Sequence, residues 1–299
     1  MKYHGEPGRL AAAVLALALS SWAQTPAAQM PPQRDASAVA GVAAAVAALG
    51  GTASLSAVQD ATATGTFLEE SGGAINASAV IGTFTWTYRF PAPVPGAAGG
   101  NPLPDFRVST QDTKGRRTDF AGGAASPALM GTGKPSRLHQ QVKVSALPFA
   151  LPGKILLRVL SDPRYAITSA PAESINGIAA AHVRVAMGND GAAASITAED
   201  WFFDPSTGLP LRVSYFVPSA YGNALDGRLQ SVDYLGFGGS GGIAVASALL
   251  VRWGVPSGPA YQHQGGVVPS LPDRRFAIAS VAINTDPPPS TFDLGGVQP

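Results

Sequence analysis

A chain of 299 residues with 45% hydrophobic side chains can bury a substantial core, and its 35 glycines and 26 prolines favour short strands and turns over long helices. With 20 basic against 19 acidic residues, the formal charge of +1 implies no basic surface for nucleic acid. The absence of cysteine excludes disulfides, thiol catalysis, zinc–thiolate sites and a lipid-bearing cysteine at a processed N-terminus.

Lys2 and Arg9 precede an apolar run from Leu10 to Leu19, and small residues follow up to Ser21-Trp22-Ala23. This is the pattern of a secretory signal peptide cleaved near Ala23. The run is about half the length that a spanning helix needs, so no permanent membrane anchor is expected. Residues 24–34, rich in Pro, Ala and Gln, read as a flexible leader. Residues 35–294 read as a single domain, with 295–299 as a tail. The expected product is a periplasmic or secreted monomer.

Asp35 stands as the N-cap of a helix whose stripe is Val39, Val42, Val46 and Leu49, with Gly50-Gly51 as its stop. A threonine-rich strand covers 57–67. From Thr83 to Phe90 the alternation is clean and puts Phe84, Trp86, Tyr88 and Phe90 on one face. Four aromatics on one face make either a wall of the core or the lining of a cavity for a greasy ligand. A short strand at 106–110, a charged turn and a return through Thr118-Asp119-Phe120 form a meander. Residues 122–136 are small and loop-like, and the sheet is expected to pause there.

A second helix follows over 152–160. Ile155, Leu156, Val159 and Leu160 form its stripe, Lys154 and Arg158 lie on a solvated opposite side, and Pro163 closes it. Such a helix between two groups of strands suits a plug for the mouth of a curved sheet. The second group begins at 165–169 and 178–186 and continues with the hairpin Trp201-Phe202-Phe203-Asp204-Pro205-Ser206-Thr207-Gly208-Leu209-Pro210-Leu211-Arg212-Val213, where Asp-Pro opens the turn and Gly208 supplies a positive φ. Centred on Thr207, that turn places Trp201 opposite Arg212 as an exposed stacking pair. Strands at 229–237, 243–253 and 276–284 complete about ten strands and two helices: mainly β, one curved antiparallel sheet, no repeat.

Chemistry is sparse. His139, His182 and His263 are far apart and carry no metal-ligand spacing, so no metal is expected. Gly131–Ser136 fails as a phosphate loop because Pro135 stands where Ser/Thr is needed, and Ser240 lies in a glycine-rich turn rather than a nucleophile elbow. Glu69-Glu70 and Glu199-Asp200 are neighbours whose side chains point to opposite faces of a strand. No catalytic residue and no cofactor are expected, and the protein is read as non-enzymatic.

Laid out in this order, the chain resembles the superfamily of LolA/LolB-type lipoprotein carriers, in particular outer membrane lipoprotein-sorting proteins. The resemblance rests on the exported N-terminus, the small-residue helix before Thr62-Ala63-Thr64-Gly65-Thr66, the helix near Leu151 to Leu160, and the aromatic-Asp-Pro-x-Thr-Gly-Leu-Pro hairpin. It implies a curved, incomplete antiparallel β-barrel with helices on the concave face, around an apolar cavity that in the carriers receives acyl chains. The chain departs from that pattern in its length and in its expanded loops at 91–104 and 254–273, and no acyl-gating motif matches. The expectation is an exported protein that binds a hydrophobic ligand or lipoprotein acyl chain, lined by Phe84, Trp86, Tyr88, Phe90, Ile155, Leu156, Val159 and Leu160. The alternative is an envelope interaction or sensor module that binds a protein partner without a lipid.

Overall fold

A computed structural model describes residues 31–70, 81–90, 105–122, 128–130, 136–137, 150–188, 198–218, 227–257 and 273–293. Apart from Pro31 these lie in one of the chain's two compact units, Pro32–Pro299. The expected signal peptide, most of the leader, the loop at 91–104, most of the loop at 254–273, the tail, His139 and His263 lie outside the described residues.

The small-residue helix forms as α1, Ala36–Ala48, and buries Ala38, Val42, Ala45 and Val46. Asp35 occupies the N-cap position but does not cap: its carboxylate accepts from Ser169 N at 2.9 Å and Gln33 Nε2 at 2.8 Å. Gly50-Gly51 ends α1 as expected, with Leu49 at the C-cap, but the chain does not leave helical structure there. A second helix, α2, runs Gly51–Ala57 at 64° to the first, and both glycines take positive φ, 121° and 79°. A Cβ on Gly50 would sit 2.9 Å from Gly242 O and Ile243 Cα, so the close approach of the hairpin tip at Gly242-Ile243, with the positive φ, requires glycine at this elbow.

The strands are β1 Asp60–Glu70, β2 Gly82–Arg89, β3 Asp105–Asp112, β4 Arg117–Gly122, β5 Ala128–Met130 and β6 Ser136–Arg137, followed by helix α3 Pro152–Ser161. Then come β7 Tyr165–Ile175, β8 Ile178–Met187, β9 Glu199–Phe203, β10 Pro210–Pro218, β11 Gly227–Ser240, β12 Ile243–Ser257 and β13 Asp273–Ile283, and a 3-10 turn Pro289–Phe292. They form one 13-stranded sheet in the order β6-β5-β4-β3-β2-β1-β13-β12-β11-β10-β9-β8-β7. Every pairing of these strands is antiparallel. The expected pause at 122–136 instead supplies β5 and β6, and with α2 the helices number three rather than two.

The sheet does not close, because β6 and β7 are its two edges. Laid flat it would be roughly 58 Å wide, whereas α1 is only about 20 Å long. Yet the helices and the inner faces of the strands from β3 to β7 belong to one continuous core. The sheet therefore curls around the helices as an incomplete, mainly β barrel. Edge strand β7 is partly covered where Gln33–Asp35 joins it: Gln33 O accepts from Ile167 N and Ile167 O from Asp35 N, each at 2.8 Å. Among the described residues no single helix is long and apolar enough to cross a membrane; α1 and α2 reach that length only as a bent pair.

The 201–213 hairpin has the expected turn. The Asp204 carboxylate accepts from Ser206 N and from the Ser206 and Thr207 hydroxyls, and Gly208 takes φ 74°. Its register differs from expectation. A bulge between Pro210 and Arg212 pairs Trp201 with Val213, and Trp201 is wholly buried in the core. Arg212 faces the other side and pairs with the buried Asp233, so no exposed Trp201–Arg212 stack exists.

Candidate functional site

The inner face at one side of the sheet is built from small residues on β1 and large ones on β2. Ala61 pairs with Tyr88, Ala63 with Trp86 and Gly65 with Phe84. With so little bulk on β1, the rings lean across it: Phe84 and Trp86 lie 5.4 and 5.1 Å from Phe276 on β13 and 4.4 Å from each other. A Cβ on Gly65 would meet the Phe84 ring at 2.8 Å. Alternation thus sets the face, and the small partners set the packing on it.

On the other side, Phe203, Trp201, Tyr234 and Phe237 form a stacked column, with successive centroids 6.2, 6.5 and 5.6 Å apart. Trp201 Nε1 donates to the buried Glu199 carboxylate at 3.0 Å, and the Tyr215 hydroxyl donates to Gln230 Oε1. The inward position of Glu199 was legible from its alternation with Trp201 and Phe203; its place among buried aromatics was not.

Helix α3 covers this interior. Leu156 and Val159 are buried, and Ile155 and Leu160 pack against the core from partly exposed positions, as does Phe90. Phe84, Trp86, Tyr88 and Phe90 from β2 and its end and Ile155, Leu156, Val159 and Leu160 from α3 all belong to, or pack against, the same large core. Lys154 is not on a solvated side. Its ammonium donates to Leu55 O at 3.0 Å and Val58 O at 2.8 Å and stands 4.7 Å above the Phe90 ring, which stacks on Tyr88. Burial lowers its pKa from 10.5 to about 8. The helix periodicity missed this because the last carbonyls of α2 occupy the space beside it.

Two phenols stand out in the interior. Tyr88 is 1% exposed and Tyr234 6%, and neither hydroxyl has a hydrogen-bond partner. Burial raises both pKa values well above 10, with the Glu199 carboxylate adding to the effect at Tyr234. An unpaired buried hydroxyl costs about 1–3 kcal/mol, so each marks a place where an acceptor would be welcome. Two cavities open elsewhere. One, of about 550 Å³, lies between the α1–α2 elbow and the tip of the β11–β12 hairpin; the other, of about 360 Å³, lies over the outer face of β2 and β3.

Of the remaining sequence candidates, residues 131–135, His139 and His263 lie outside the described residues, and His182, Asp200 and Ser240 have local contacts. His182 stacks on Phe202, with Nε2 3.1 Å from Asp200 Oδ1 and Nδ1 3.1 Å from Pro171 O. Glu199 and Asp200 face opposite sides of β9 as expected, and Ser240 donates to Val281 O at 2.8 Å. Among the described residues no group of three or more His, Cys, Asp or Glu could hold a metal ion.

No protein-family model matches the chain, and no curated protein matches it. Solved structures do. A DUF1329 family protein from Desulfovibrio piger is 11% identical, covering 87% of this chain and 98% of its own, with a TM-score of 0.46. A putative outer membrane lipoprotein-sorting protein domain from Vibrio parahaemolyticus is 11% identical over 78% of this chain and 89% of its own, with a TM-score of 0.44. A LolA superfamily protein from Nitrosomonas europaea is 11% identical over 83% and 97%, with a TM-score of 0.42. At this identity the likeness is one of fold, and the chain is structurally similar to LolA-superfamily and lipoprotein-sorting proteins.

Proposed function

We propose that the protein is a non-enzymatic envelope protein, exported by its N-terminal signal, that binds the acyl chain of a lipid or lipoprotein between α3 and the inner aromatic face of the sheet. The observation that carries this reading is that two buried phenols, Tyr88 and Tyr234, are unpartnered in a mainly apolar interior. A hydrocarbon chain suits that interior, and an ester or amide carbonyl would accept from a phenol. Leu156 and Val159 fill the space now, so ligand entry requires α3 to lift from the core. The test is native mass spectrometry with lipid extraction on protein taken from its own envelope, followed by titration with brominated fatty acids. A co-purifying lipid and quenching of the buried Trp86 and Trp201 are expected. Protein that emerges empty and ignores fatty acids and acylated peptides alike would sink the proposal.

The packed interior favours a second reading, an interaction or sensor module whose sheet face or loops contact a protein partner. Crosslinking in the native envelope separates the two: a carrier yields lipoproteins broadly, a sensor one stable partner.

A further inference from the structure

The outer face of β2 and β3 carries what the inner face excludes. Thr83 and Thr85 alternate with the buried aromatics, and beside them on β3 stand Arg107, Ser109 and Gln111, with Arg117 on β4; all six line the cavity of about 360 Å³. One carboxylate organises this set. Asp119, only 4% exposed, accepts on Oδ1 from Arg107 Nε and Nη2 at 3.1 and 3.0 Å, from Arg117 Nη2 at 3.0 Å and from the Ser109 hydroxyl; its Oδ2 takes Arg117 Nε at 2.7 Å.

Two guanidinium groups on one carboxylate leave one positive charge uncompensated. Arg107 is further fixed by Nη1 donating to Thr291 O at 3.1 Å in the 3-10 turn, while the Arg117 side chain remains 58% exposed. The acceptor capacity of Asp119 is taken up. The Thr83 and Thr85 hydroxyls and the Gln111 amide line the same cavity, and each can donate to an acceptor there. The forks of both guanidiniums hold Asp119. What a ligand meets is the excess positive charge and the remaining N–H groups of the exposed Arg117 beside hydroxyls, which suit an anionic oxygen better than a neutral ligand.

We propose that this cavity binds a phosphate group, either free or as the head group of a phospholipid. The site is separate from the inner face, so it stands or falls independently of acyl-chain binding. The experiment uses the full chain with two probes: calorimetric titration with inorganic phosphate, and flotation with phosphatidylcholine vesicles with and without phosphatidic acid. Saturable binding that weakens with added salt is expected, and Arg117→Gln should reduce it about tenfold, the scale of one charge-assisted contact. Thr85→Val, which keeps the shape and removes a hydroxyl, should weaken binding without changing thermal unfolding. Binding of phosphate without flotation assigns the free ion, and flotation on phosphatidic acid without phosphate binding assigns the head group. Binding of neither probe, or equal binding by wild type and Arg117→Gln with both folded by circular dichroism, overturns the proposal.

Discussion

The ammonium of Lys154 occupies surroundings that a helical wheel assigns to water, and its titration should be visible in stability. Burial lowers its pKa to about 8 from 10.5, so between those values the unfolded chain holds a proton that the folded chain has released. Stability should therefore rise with pH across that window, by less than full burial would give because Lys154 is still partly exposed. Above about pH 10 the slope reverses. Burial raises Tyr88, Tyr215 and Tyr234 above their ordinary value of 10.0, so the unfolded chain loses those protons first. Urea unfolding at stepped pH should show a maximum near pH 10. Lys154→Met should flatten the rising limb, and an unchanged limb in that variant would contradict the assignment. The sequence placed Lys154 on the correct helix but not in its surroundings, because its partners, Leu55 O and Val58 O, are almost a hundred residues away and belong to a helix that the sequence did not announce.

At the scale of elements, Gly65 holds the aromatic face together. It sits at the β1 bulge, where a Cβ would lie 2.0 Å from Ala277 O and 2.8 Å from the Phe84 ring. Both neighbours are held, one by the β1–β13 ladder and the other by its tilted and edge-on contacts with Trp86 and Phe276, so Gly65→Ala should cost about 3 kcal/mol through overpacking. Chemical denaturation measures this, and a loss below 1 kcal/mol would show that the bulge can give way. The alternation over 83–90 predicted this face correctly because strand periodicity is local. The pairing of Trp201 was lost because a bulge shifts register by one, and nothing in Pro210-Leu211-Arg212 marks it. Gly50-Gly51 ended α1 as read, but the helix that follows it was missed, because a seven-residue stretch of mostly small residues carries little apolar periodicity.

For the whole molecule, one continuous core joins three helices to strands from β3 to β7, so the helices have no independent core to retain. Calorimetry should give a single transition, with α3 lost together with the sheet. A separate early transition would show instead that α3 and its neighbours form their own cooperative unit.

The position of β13 sets the order in which the molecule can be assembled. Strands β6 to β1 form one half of the sheet and β12 to β7 the other, and the hydrogen-bonded link between them is β13, the last of the described strands. β13 runs beside nearly all of β1, but it meets β12 only from Ala248 to Val251. Its exit is fastened by Asp60, whose carboxylate accepts from Thr285 and Asp286 at the start of β1. Until residues 273–286 are available, β1 and β12 each present an open edge to any other extended chain, and more than 200 residues of sequence separate the strands that must meet. Completion of the sheet thus requires residues 273–283, and without them β1 and β12 lack the strand that pairs with both.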